Sequence, residues 1–94
     1  MLEYNFYIGS NNKTKELEIN KIKKIVSARF KAFSFAQQKG YYEGEEEKSL
    51  KVTILNERPL KNFVVMDLIQ ALKTTLKQDQ IMFNIVKLAT LKFI

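Results

Sequence analysis

The residues that could do chemistry in this sequence are carboxylates, lysines, tyrosines and serines. Histidine and cysteine are absent, so the chain lacks the commonest general base and the usual thiolate nucleophile and metal ligand. Glutamates crowd into one short stretch, at Glu43, Glu45, Glu46 and Glu47. Their oxygens suit a hard cation, but the stretch lacks the Asp and Asn spacing of a calcium loop. We therefore predict a non-enzymatic protein with no metal, cofactor or catalytic residue, and leave open a site assembled in space.

Basic residues are concentrated in one segment. The 94 residues include 16 Lys and Arg against 10 Asp and Glu, which gives a formal charge of +6. The excess lies between residues 21 and 39, where six residues are basic and none is acidic. The predicted polyanion-binding residues are Lys21, Lys24, Arg29 and Lys31. They could follow the phosphates of a nucleic acid, and a solvated helix face is the alternative.

Apolar spacing predicts the elements that position these residues. Alternation is typical of half-buried strands, and spacing of three and four residues is typical of amphipathic helices. The predicted elements are a strand over 2–8, a helix over 20–32, strands over 33–42 and 48–55, a helix from residue 62 and a strand over 81–94. Asn20 and Asn62 are the predicted N-caps. The order βαββαβ predicts one ferredoxin-like α+β domain over 1–94, a four-stranded antiparallel sheet with both helices on one face.

The last predicted strand is apolar on both faces. Ten of the fourteen residues from 81 to 94 are apolar. The fold places this strand at a sheet edge beside the first strand, where exposed apolar surface recruits other chains. We predict a homo-oligomer, with a dimer favoured, and its predicted interface residues are Phe83, Ile85, Leu91 and Phe93. The alternative is a C-terminal tail that folds back over its own sheet.

Several short motifs are familiar in combination. They are YNFYIGSNN at 4–12 with Thr14 shortly after, GYYEG at 40–44 followed by Glu47, Ser49 and Leu50, and the closing Gln78, Ile81-Met82-Phe83 and Phe93-Ile94. Together they resemble small uncharacterised proteins of phages and other mobile elements in low-G+C bacteria. In those proteins an opening strand ends in Ile-Gly, and a Gly-aromatic hairpin leads to Glu-x-Ser-Leu. The resemblance implies an origin, and products of this kind are often binding proteins that act on host or phage machinery.

The resemblance therefore favours a module that binds a host or phage protein and modulates or inhibits it. Tyr41 and Tyr42 are adjacent in a predicted strand and point to opposite faces, so the exposed one is a predicted partner anchor. An alternative is an oligomer that sequesters or processes a small anionic, nucleotide-like ligand near Lys13, Asn11 or these tyrosines. With no signal-peptide pattern and no long apolar stretch, we expect a cytoplasmic protein without a membrane partner, in the host cell if phage-encoded.

Overall fold

The computed structural model describes residues 1–10, 14 and 16–89, except for the side chain of Tyr42. Within them the elements are β1 (Leu2–Gly9), α1 (Ile19–Ser27), β2 (Ser34–Tyr42), β3 (Glu45–Asn56), α2 (Asn62–Leu76) and β4 (Met82–Lys87). The strands form one sheet in the order β2-β3-β1-β4, and every neighbouring pair is antiparallel. The predicted ferredoxin-like α+β fold is confirmed, with β4 at the edge beside β1.

The core lies between one face of the sheet and the two helices. Alternate side chains of the central strands are buried in it, as the period-2 pattern predicted: Tyr4, Phe6, Ile8, Leu50, Val52 and Ile54. The apolar residues of α2 that follow the spacing of three and four are also buried: Val65, Leu68, Ile69, Leu72 and Leu76. Ile22 and Val26 add the buried face of α1. Each buried side chain of this size stabilises the fold by roughly 1.5–3 kcal/mol.

Both predicted N-caps are wrong. A capping residue has non-helical backbone angles, whereas Asn20 lies inside α1 and Asn62 is the first residue of α2. The N-cap positions are Glu18 and Lys61, and neither makes a side-chain capping hydrogen bond. The backbone carbonyl of Glu18 accepts the first helical hydrogen bond, from Ile22 at 3.1 Å. The N-cap therefore precedes the predicted asparagine by two residues in α1 and by one residue in α2.

α1 is also shorter than predicted, because it ends at Ser27 rather than near residue 32. Beyond it the amide of Arg29 donates to the carbonyl of Val26 at 3.0 Å, a tighter pattern than that of an α-helix. Phe30 and Phe33 then pack against the core from the connection to β2. The chain thus leaves the helix where these two partly buried rings pack against the core.

β2 and β3 form a hairpin with a two-residue turn. Tyr42 pairs with Glu45, and the turn residues Glu43 and Gly44 have positive φ angles of 51° and 81°. Positive φ angles at both residues are typical of a type I′ turn, whose backbone twist matches the right-handed twist of the flanking strands. The strand pairing therefore continues to the tip, and β3 begins at Glu45, earlier than predicted. Consequently Glu45, Glu46 and Glu47 are strand residues and not part of a loop.

β4 has six residues, fewer than predicted. It ends at Lys87, and the amide of Leu88 then donates to the carbonyl of Met1 at 2.9 Å. Leu91 and Phe93 lie outside the described residues, so their predicted interface role stays a prediction. No helix in the described part of the chain is long and apolar enough to cross a bilayer.

Candidate functional site

A cleft of about 960 Å³ opens at the end of the sheet where β1 finishes and the β2–β3 hairpin projects. We call it the hairpin cleft. Its lining comes from β1 and the residue after it, β2, β3 and the loop between α2 and β4: Gly9, Ser10, Gly40, Glu45, Glu46, Glu47, Lys48, Ser49, Gln78, Asp79 and Gln80. Six of these belong to the motifs quoted above: Gly9, Ser10, Gly40, Glu47, Ser49 and Gln78. Residues far apart in sequence thus meet at one surface.

Hydrogen bonds fix the walls of the hairpin cleft. α2 ends where Lys77 adopts the left-handed conformation, with φ of 54°. The amide of Gln78 then donates to the carbonyl of Lys73 at 3.0 Å. Its side-chain Nε2 donates to the carbonyl of Gly9 at 2.7 Å. The amide of Ser10 donates to the carbonyl of Lys48 at 3.1 Å, which holds the end of β1 against β3.

Two strand glycines line the hairpin cleft without a conformational need to be glycine. Neither Gly9 nor Gly40 has a positive φ angle, and a Cβ atom built on either would meet no atom of the described residues within 4 Å. Glycine inside a strand costs stability, and it often marks a place where a ligand approaches the backbone. The two glycines therefore bring bare backbone to the cleft lining and do not relieve strain.

The described lining of the hairpin cleft is acidic. It holds four carboxylates, on Glu45, Glu46, Glu47 and Asp79, and one cation, on Lys48. Lys39 lies 3.7 Å from Glu46, Nζ to Oε1, and compensates one of these charges from outside the lining. An acidic concave surface concentrates cations and repels anions. Among the described residues, no group of carboxylates is arranged to hold a metal ion.

The predicted polyanion-binding residues do not line the hairpin cleft. All four are exposed, but two are already paired with carboxylates. Arg29 Nε lies 2.7 Å from Asp67 Oδ2, and Lys21 Nζ lies 3.2 Å from Glu18 Oε1. Lys24 and Lys31 are exposed. Binding of a nucleic acid by this set stays a prediction.

The predicted partner anchor Tyr41 is 75% exposed. It lies in β2 opposite Glu46, near the hairpin tip, and it does not line the hairpin cleft. The side chain of Tyr42 lies outside the described part of the molecule. An exposed aromatic side chain suits a protein contact, so this role also stays a prediction.

The predicted interface residues Phe83 and Ile85 lie on the helix side of β4. Phe83 stacks on buried Phe6, with ring centroids 5.8 Å apart and an interplanar angle of 15°. Both line a groove of about 210 Å³ between β4 and α2, together with Tyr4, Leu60, Asn62, Val65 and Met66. They remain 39% and 51% exposed. The described part of β4 thus has the exposed apolar surface that the sequence predicted.

The sequence did not indicate the importance of Asn5. It faces away from the helices but is only 2% exposed. Its Nδ2 donates to Asn84 Oδ1 at 3.0 Å, and its Oδ1 accepts a bond of 2.8 Å from Thr53 Oγ1. These residues are register partners on β4, β1 and β3. Their pairing depends on strand register, which no local sequence signal provides.

Comparisons with known proteins show the fold. No family model matches the chain, and no curated protein matches it. A solved phage SAM lyase in its apo state is 21% identical, with 90% of this chain and 78% of that chain covered and a TM-score of 0.64. A phage SAM lyase in complex with S-methyl-5'-thioadenosine is 20% identical, with 92% and 80% covered and a TM-score of 0.63. A DUF3240 family protein from Shewanella baltica OS155 is 12% identical, with 99% and 96% covered and a TM-score of 0.60.

Proposed function

We propose that the hairpin cleft binds S-adenosylmethionine. The observation that carries the proposal is the pair of strand glycines, Gly9 and Gly40, which leave space in an acidic cleft that the backbone conformation does not require. The volume of about 960 Å³ is at the upper end of small-molecule sites. A protein that shares this fold has been solved with S-methyl-5'-thioadenosine, the adenosyl thioether related to this ligand.

Charge supports the choice of ligand. S-adenosylmethionine carries a sulfonium and an ammonium group against a single carboxylate, so it is a net cation. The four carboxylates of the hairpin cleft favour such a ligand over a nucleotide phosphate. The alternative that the sequence suggests, a small anionic ligand near Lys13 and Asn11, stays a prediction, because both residues lie outside the described part of the chain. Because the carboxylates are exposed, salt will screen their attraction.

A second candidate function is cleavage of S-adenosylmethionine to S-methyl-5'-thioadenosine, favoured because a protein that shares the fold is a phage SAM lyase. In that step the bond from the sulfonium sulfur to the amino-acid carbon breaks, and sulfur keeps the electron pair. The ligand's own carboxylate can take the place of sulfur on that carbon, so no further reagent is needed. Sulfur loses its charge in the step, so the cleft carboxylates hold the substrate more tightly than the thioether. They do not lower the barrier, and acceleration would come from substrate positioning.

Isothermal titration calorimetry tests the binding proposal. We expect S-adenosylmethionine to bind and S-methyl-5'-thioadenosine to bind more weakly. Added salt should lower the affinity for S-adenosylmethionine and reduce the difference in affinity between the two ligands. Glu47→Gln should weaken binding, whereas the control Glu57→Gln, which removes an exposed charge outside the cleft, should not. Absence of binding, or equal loss in the two variants, contradicts the proposal. Chromatography of the same mixtures for S-methyl-5'-thioadenosine tests the cleavage.

The exposed apolar side chains of β4 support a homo-oligomer as part of this proposal. Ile85 and Met82 are 51% and 66% exposed on opposite faces of β4, and no other described strand pairs with its outer edge. We expect Ile85→Glu to lower the sedimentation coefficient to that of a monomer. The control Tyr41→Glu introduces the same charge at another exposed side chain, at the far edge of the sheet, and should leave the mass unchanged. A monomeric wild type would contradict the oligomer.

A further inference from the structure

The outer edge of β2 is a sheet edge that no other described strand covers. Among the described strands β2 pairs only with β3, so the backbone N–H and C=O groups along its other side have no strand partner. Ser34 and residues 36–39 are exposed. The strand contains no proline, which would interrupt such an edge. An unpaired edge of this kind is a template for another extended chain.

The surroundings of this edge are basic. The segment 19–42, which spans α1, the connection and β2, contains six basic residues and no acidic residue. Lys23 of α1 lies over Phe35 of β2, with Nζ 5.9 Å from the ring centroid. Phe35 in turn contacts Phe33, with centroids 5.1 Å apart. The exposed Lys31 lies in the connection between α1 and β2. The one ion pair of β2 that the described residues form joins Lys39 to Glu46 of the neighbouring strand.

We propose that the edge of β2 over Ser34–Lys39 binds an acidic, extended segment of another protein as an added strand. The free side of β2 presents alternating N–H donors and C=O acceptors. The backbone of an extended peptide can pair with both kinds of group. The lysines around the edge select acidic side chains on that peptide. The segment stops before Gly40, so this surface is separate from the hairpin cleft.

Two other occupants fit less well. A second copy of this chain paired edge to edge through β2 would bring two basic segments together, at a cost in electrostatic energy. A nucleic acid would satisfy the lysines, but phosphates accept hydrogen bonds and leave the edge carbonyls unpaired. An acidic peptide satisfies both the backbone and the charge.

Amide hydrogen exchange followed by NMR tests the proposal. The probe is a short synthetic peptide in which Glu and Val alternate, and its control has Lys in place of Glu. We expect the acidic peptide to bind at least about tenfold more tightly than the basic one and to slow exchange of alternate amides within Ser34–Lys39. Protection confined to α1, protection elsewhere, or no binding overturns the proposal. So does tighter binding of a single-stranded RNA oligonucleotide than of the acidic peptide.

Charge variants distinguish binding at the edge of β2 from general attraction of an acidic peptide to a basic protein. Lys23→Glu combined with Lys31→Glu should weaken binding of the acidic peptide by about tenfold. The matched control is Lys61→Glu combined with Lys87→Glu, which changes the net charge equally at exposed positions outside the segment. Equal weakening by both pairs overturns the proposal, because it would show attraction to net charge alone.

Discussion

The side-chain amide of Gln78 donates a hydrogen bond of 2.7 Å to the carbonyl oxygen of Gly9, across 69 positions of sequence. It joins the loop after α2 to the last residue of β1, and so it connects two walls of the hairpin cleft. The shape of the cleft therefore depends on closure of the whole fold.

Gln78→Ala should remove this connection. We expect the free energy of unfolding to fall by about 1 kcal/mol, the usual net contribution of one hydrogen bond. Affinity for S-adenosylmethionine should fall as well, since the loop that carries Asp79 is no longer held. Urea denaturation and calorimetry measure the two effects. Gln70→Ala, at an exposed position of α2, is the control and should change neither quantity appreciably.

Gly40→Val should separate folding from binding. A Cβ at this position meets no atom of the described residues within 4 Å, and valine is favoured over glycine in strands. Stability should therefore be kept or rise by roughly 0.5–1 kcal/mol, while the new side chain fills part of the cleft and weakens ligand binding. Ala36→Val changes the same face of β2 outside the cleft. If the two variants bind the ligand equally well, the role given to Gly40 is wrong.

Glu43→Asn should stabilise the hairpin. Glu43 has a φ angle of 51°, which costs roughly 1–2 kcal/mol for most residues and less for asparagine. Asn-Gly is also the preferred pair for this turn. We expect the free energy of unfolding to rise by about 1 kcal/mol in chemical denaturation. Glu57→Asn removes a charge where the backbone φ is not positive and serves as the control. An equal gain in both variants would point to charge rather than to turn geometry.

Asn5→Ala should destabilise the sheet by about 1–3 kcal/mol, because it removes the hydrogen bonds from Asn5 to Asn84 and Thr53 on the two neighbouring strands. A double-mutant cycle with Asn84→Ala measures how much of this loss belongs to the pair. We expect the double variant to lose less stability than the sum of the two single variants. Additive losses in urea denaturation would mean that the hydrogen bond between Asn5 and Asn84 contributes little.

Periodic burial could be predicted from the sequence, and the placement of isolated residues could not. The alternation in β1 and the spacing of three and four from Val65 to Leu76 indicate the buried faces correctly. They do so because burial of a whole face outweighs the preferences of single residues. Asn20 and Asn62 fail as caps because capping depends on where the backbone turns into the helix. Tyr41 was expected to be an anchor from exposure alone, and its role is still a prediction.

The hairpin cleft could not be predicted from the sequence, although several of its residues belong to the motifs that carry the resemblance. Gly9, Gly40 and Gln78 come from separate segments, and their proximity follows from sheet order and register. A glycine with no positive φ and free space around it can be recognised only in three dimensions. No local sequence pattern therefore indicates that such a glycine lies at a ligand site.

Titration of uniformly ¹⁵N-labelled protein with S-adenosylmethionine, followed by NMR chemical shifts, tests the central claim most directly. Binding in the hairpin cleft predicts saturable amide shifts concentrated at Gly9, Ser10, Gly40, Ser49 and Asp79. The exposed face of α1 should change little, which provides an internal control. Unchanged spectra, or shifts confined to α1 or to β4, would contradict the assignment of this cleft as the ligand site.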